Sequence, residues 1–62
     1  MYEKFYKLMT KKGVSTYRVA KDCQIPFSTF TKWKQGVATP KVDKLMKLAD
    51  YFGVDIKELL TN

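Results

Sequence analysis

The chain is 62 residues long, enough for one domain around a small core, because a chain of this size buries only about 60% of the surface its unfolded form exposes. Twelve Lys and Arg against six Asp and Glu leave a net charge of +6, so nucleic acid is the first partner to expect. With no histidine and a single cysteine, Cys23, the sequence excludes an internal disulfide and a Cys/His zinc site, lacks the commonest general base, and fits a reducing cytoplasm.

No apolar run approaches the roughly 18 residues of a membrane span, and "MYEKFYKLM" lacks the uninterrupted apolar stretch of a secretory signal. Helix and chain breakers fall at Gly13, at Gln24 to Pro26, at Gly36 to Pro40 and at Gly53. They divide residues 1–62, read as one domain, into five segments without repeat or linker.

The first segment, Tyr2 to Lys12, brings Tyr2, Phe5, Leu8 and Met9 together at helical spacing and ends on Lys11, Lys12 and Gly13, a C-terminal signature. Ser15 is suited to cap a second helix, in which Thr16, Val19, Ala20 and Cys23 follow the i, i+3, i+4, i+7 pattern. The third helix, about 27–35, carries two stripes. On a wheel of about 100° per residue, Phe27 and Trp33 lie about 60° to either side of Phe30, which predicts an aromatic core face. Ser28, Thr31, Lys32 and Gln35 fall between about 100° and 200° on the same wheel, polar and without an acid, and this face is expected to meet something wet or anionic. The fourth segment, Val42 to Phe52, is predicted to bury Val42, Leu45, Met46, Ala49 and Phe52 and to end at Gly53. The last opens at "DIKE", where Asp55 and Glu58 have capping-box spacing and Ile56, Leu59 and Leu60 form an apolar edge. These segments predict an all-α, five-helix domain.

Two short helices joined by a few residues, the second presenting a cationic, hydrogen-bonding stripe, meet the physical requirement of a helix-turn-helix. Such a helix fits a major groove about 12 Å wide, where hydroxyls, amides and lysines bond to base edges and an acid would meet phosphate repulsion. Val14 to Leu60 resembles the Cro/CI-type (XRE, lambda-repressor-like) helix-turn-helix domain through Ala20, Ile25, Phe30, Trp33, Gly36 and Pro40, followed by "KLADYFGVDIKELL". The resemblance implies a compact lambda-repressor-like fold with helices 2 and 3 as the helix-turn-helix. It further implies that Phe27, Ser28, Thr31 and Lys32 face base edges, that Thr16, Gln35 and Lys41 meet phosphates, and that Phe27 is placed to touch a thymine methyl.

Three departures from the family pattern bear on the geometry. Gln24 stands at the turn position usually held by glycine, where a left-handed backbone costs a side chain on the order of 1 kcal/mol. Pro26 replaces the hydroxyl cap of the third helix, which leaves that helix start open by a residue. Met9 and Lys34 occupy the positions of a frequent buried Arg-Glu pair, and Lys34 is expected to turn outward past Trp33.

The bland readings are that Ser28, Thr31 and Lys32 form a solvated face, that Trp33 and Cys23 are packing residues, and that Lys44 and Lys47 only solubilise the fourth helix. Tyr17 and Arg18 are exposed on the wheel, and for each both contact with phosphate and plain solvation stay open, so neither is assigned. The expected function is sequence-specific binding of double-stranded DNA by a transcriptional regulator, read as a repressor, with a homodimer on a palindromic operator. The alternative is a protein-interaction module of antitoxin or antirepressor type on the same scaffold. Scattered acids and the lack of a Gly-rich phosphate loop speak against an enzyme, and no metal, cofactor, membrane or small-molecule substrate is expected.

Overall fold

The first four helices are each followed within two residues by a left-handed position, Gly13, Gln24, Gly36 and Gly53 in turn, and the chain path follows from those stops. The computed structural model describes residues 1–60 and contains α1 (Tyr2–Lys12), α2 (Thr16–Cys23), α3 (Phe27–Lys34), α4 (Val42–Phe52) and α5 (Lys57–Leu60), with no strand among the described residues. α1 carries Glu3 in its first turn and Lys11 and Lys12 in its last, the arrangement that complements the helix dipole. α2 begins at Ser15, whose Oγ accepts the Arg18 backbone N–H at 3.1 Å. It ends at Gln24, whose φ of 56° and ψ of 44° are left-handed. There the Gln24 N–H donates to the Lys21 carbonyl at 3.3 Å and the Ile25 N–H to the Ala20 carbonyl at 3.0 Å, the paired bonds of a Schellman turn. The turn delivers Ile25 directly into the core.

Pro26 stands just outside α3 as its N-cap, with no side-chain bond, and its carbonyl accepts the Thr29 N–H at 3.0 Å. The helix therefore starts at Phe27, one residue after the proline. α5 is capped differently from the expected box. The Asp55 carboxylate accepts the Lys57 N–H at 2.9 Å, while the Glu58 N–H goes to the Asp55 carbonyl.

The core is apolar throughout, and no described polar or charged residue is buried in it. Phe5 of α1 is its hub: its ring stacks on Phe30 at 5.1 Å between centroids and lies 5.3 Å from Trp33 and 5.9 Å from Phe52. Tyr2 adds an edge-on contact to Trp33 at 5.6 Å. Contacts of this kind are worth about 0.5–1.5 kcal/mol each beyond the area they bury, so α3 is held from behind by a continuous aromatic cluster.

The burial expected on α4 needs correction. On α4 the core takes Leu45, Leu48 and Ala49, while Val42 and Met46 are 62% and 54% exposed. α4 packs against α1, α2 and α5, which turns its buried arc toward Leu48 and leaves Met46 beyond the other edge. Phe27, expected on the edge of the aromatic arc and also toward base edges, is 49% exposed, since the first residue of α3 lies past the end of the core and leans on Tyr17. On the apolar edge of α5, Leu59 is fully buried and Ile56 packs against the core, while Leu60 is exposed.

Candidate nucleic-acid interface

α3 presents its second stripe to solvent. Ser28, Thr31, Lys32 and Gln35 are exposed, as is Lys34, which turns outward while Met9 is buried. The cause lies in the opposite face, where Phe30 and Trp33 are nearly inaccessible and fix the rotation of the helix. From Cys23 to Val42 the chain contains no acid and three lysines, Lys32, Lys34 and Lys41, so the ground around this stripe is uniformly positive or neutral until Asp43.

Two grooves run beside α3 and divide the residues singled out by sequence. Phe27, Thr31 and Gln35 line one of them together with Thr16 from α2 and with Tyr2 and Lys34. Lys32 lines the other with Lys41, Thr29, Thr39 and Lys44. Ser28 lines neither and stands exposed near the start of the helix. Lys44, read from sequence as solubilising charge, is thus in the same groove as Lys41, and Thr29 is half-buried in its wall. The signal for both is an i, i+3 step from a residue already suspected, Lys41 to Lys44 and Thr29 to Lys32. Asp43 also lines this groove, in the first turn of α4 where a carboxylate suits the helix dipole.

Thr16 is placed less openly than the rest. It is half-buried, and its Oγ1 donates to the Met9 sulfur at 3.2 Å, a weak acceptor. An anion reaching this residue would compete with a poor internal partner.

Away from the stripe, an exposed polar cluster ties α2 to α4. The Tyr51 hydroxyl donates to the Asp22 carboxylate at 2.7 Å, and Arg18 Nε donates to the same oxygen at 3.0 Å. Those two donors hold the Asp22 carboxyl below the usual aspartate range, the Tyr51 hydroxyl acting most strongly. Arg18, unassigned by the sequence, thus pairs with Asp22 at the surface of α2 while its side chain stays largely exposed. Burial pushes the Cys23 thiol up, which keeps it protonated and agrees with its reading as a small packing residue. Among the described residues no group of His, Cys, Asp and Glu is arranged to hold a metal ion, and no helix is long and apolar enough to cross a membrane.

An α2–turn–α3 pair with its aromatic side buried and an acid-free polar side exposed is the arrangement that the helix-turn-helix resemblance implies. A family model described as Cro/C1-type HTH DNA-binding domain matches residues 4–61. No curated protein and no solved structure matches the chain. The match takes in most of the first helix and all of the other four, and the chain belongs to the Cro/C1-type helix-turn-helix DNA-binding domain family.

Proposed function

We propose that residues 1–62 act as one domain that binds double-stranded DNA sequence-specifically, with α3 in the major groove, as the DNA-binding part of a transcriptional repressor. The observation that carries this reading is the division of α3 into a buried aromatic side, Phe30 and Trp33, and an exposed acid-free side, Ser28, Thr31 and Lys32. In this reading Phe27, Ser28, Thr31 and Lys32 meet base edges. Thr16, Gln35 and Lys41 meet phosphates on either flank, in keeping with the two grooves that contain them. The backbone N–H groups at the start of α3 lack a side-chain cap and add to the attraction for anions.

One short helix reads few base pairs. We therefore infer a homodimer on a palindromic operator, its two α3 helices entering successive major grooves about 34 Å apart. The domain works by binding, without a cofactor, in a cytoplasm that keeps Cys23 reduced. Selection of binding sites from a randomised duplex pool tests the reading: a palindrome with half-sites about one helical turn apart is expected, and a pool that enriches no motif refutes it.

A second reading, a protein-interaction module of antitoxin or antirepressor type, draws on Val42 and Met46, exposed one turn apart on α4. Titration with genomic DNA separates the two, because that module would retain its partner while showing little salt-dependent affinity for bulk duplex.

A further inference from the structure

Tyr17 and Phe27 are aromatic residues that the core does not absorb. They are 71% and 49% exposed, against 2% for Phe30 and 4% for Trp33. Tyr17 is the second residue of α2 and Phe27 the first of α3, and the turn between the helices brings their rings to 6.4 Å between centroids, with planes inclined by 51°. At these exposures the rings cover little of one another. A single exposed ring is ordinary on a protein surface. Two in contact make an apolar step, and this one stands beside the hydroxyl of Ser28 and the groove lined by Thr16, Thr31 and Gln35.

The chemistry of the major groove offers few matches for such a step. Base edges present donors and acceptors there, and the one apolar group is the methyl at C5 of thymine. The same methyl is present in 5-methylcytosine and missing from uracil and cytosine. Resting on the DNA reading above, we propose that the Tyr17–Phe27 pair receives the 5-methyl group of a pyrimidine at one position of the bound site, which makes Tyr17 a specificity-determining residue outside the recognition helix. Phe27 forms the wall on the α3 side and the Tyr17 ring the wall on the α2 side, so that the methyl leaves water on both flanks. The polar stripe then fixes register and the aromatic step discriminates one base.

The test uses the duplex recovered by site selection, remade with each thymine in turn replaced by uracil, a change that removes the methyl and leaves every base-edge donor and acceptor in place. The wild-type domain is expected to lose about fourfold in affinity at one position, the worth of one buried methyl group, and nothing comparable elsewhere. Tyr17→Ala is expected to lose most of that thymine-to-uracil ratio. Tyr17→Phe is expected to keep it, because the ring makes the contact and the hydroxyl does not. A residue that merely stabilised the turn would shift the melting temperature and leave the ratio alone. Equal wild-type affinity for thymine and uracil at every position overturns the proposal while DNA binding stands, as does a ratio unchanged in Tyr17→Ala or lost in Tyr17→Phe. A domain that selects no duplex overturns the DNA reading and this inference together.

Discussion

Replacing Gln24 by glycine is expected to stabilise the domain and to leave its affinity for DNA unchanged. Gln24 is the one non-glycine residue with a left-handed backbone among the described residues, while Gly13, Gly36 and Gly53 occupy that conformation after α1, α3 and α4. The turn cannot relax cheaply. Its two backbone bonds, at 3.3 and 3.0 Å, are what carries the chain from α2 to Ile25, and Ile25 is only 3% exposed. A side chain in this backbone region costs about 1–2 kcal/mol. Glycine removes that cost but adds freedom to the unfolded chain, a loss of about 0.4–1 kcal/mol. The difference of these ranges is centred on a net gain of about 0.8 kcal/mol, with bounds of about 0 and 1.6 kcal/mol, and each kcal/mol raises the melting temperature of a domain this small by about 4–8 °C. The Gln24 side chain is exposed and makes no hydrogen bond with the described residues, so nothing else is lost with it. Gln24→Ala serves as the control, since it keeps the left-handed cost and is expected to melt near wild type. Thermal and urea unfolding followed by circular dichroism would measure all three proteins. A Gln24→Gly midpoint at or below that of wild type would refute the strain argument.

Substitutions on the exposed stripe of α3 and at Lys41, the N-cap of α4, should separate base reading from phosphate contact. Ser28→Ala and Lys32→Ala are expected to narrow the gap between selected and random duplex by about 1–3 kcal/mol where a base contact is lost. Lys41→Ala should weaken both alike and reduce the slope of log affinity against log salt by about 0.9, as measured by fluorescence anisotropy over a salt series. In the core, Leu48→Ala removes a side chain that is 0% exposed and is expected to cost about 2–5 kcal/mol, enough to unfold much of a domain this small. Met46→Ala, on the exposed edge of α4, should stay within about 0.5 kcal/mol in the same denaturation assay. The Asp22 carboxyl is held below its ordinary value by Tyr51 and Arg18, so its contribution is present above the unfolded-state value near about 4 and is lost as pH falls through the lower folded value. Asp22→Asn should therefore flatten the acid limb of a stability-against-pH profile, and an identical limb in wild type and variant would count against the cluster.

The elements were legible in the sequence because their limits are set locally. Ser15 caps α2 and Gly13 and Gly53 stop α1 and α4, each through bonds reaching no further than one turn, and α1 and α4 run from Tyr2 and Val42 as their spacing predicts. What a wheel cannot supply is the centre of a buried arc or the depth of a residue along the helix axis. Met46 and Leu48 flank Leu45 on opposite sides, and only the neighbours α1, α2 and α5 decide which of them goes inside. Phe27 and Trp33 show the effect of depth: both lie about 60° from Phe30, yet Phe27 stands a turn nearer the open end and is exposed where Trp33 is buried.

The same limit explains what was visible at the candidate interface. Angle alone turns Ser28, Thr31 and Lys32 outward, because Phe30 and Trp33 fix the rotation of α3. The sorting of Thr31 with Thr16, and of Lys32 with Lys41, depends on the paths of α2 and of the loop before α4, which no periodicity records. Thr16 shows the consequence most directly. Its position at the start of α2 is readable, but its hydroxyl is turned toward the Met9 sulfur, a contact between helices that only the packed domain creates. A charged partner at Met9 would hold that hydroxyl more firmly than a thioether does. The apolar residue at Met9 and the outward turn of Lys34 therefore leave the α2 end of the candidate interface with a loosely held hydroxyl and a cation that has no ion-pair partner among the described residues, the two features that the proposed contact with a polyanion would use.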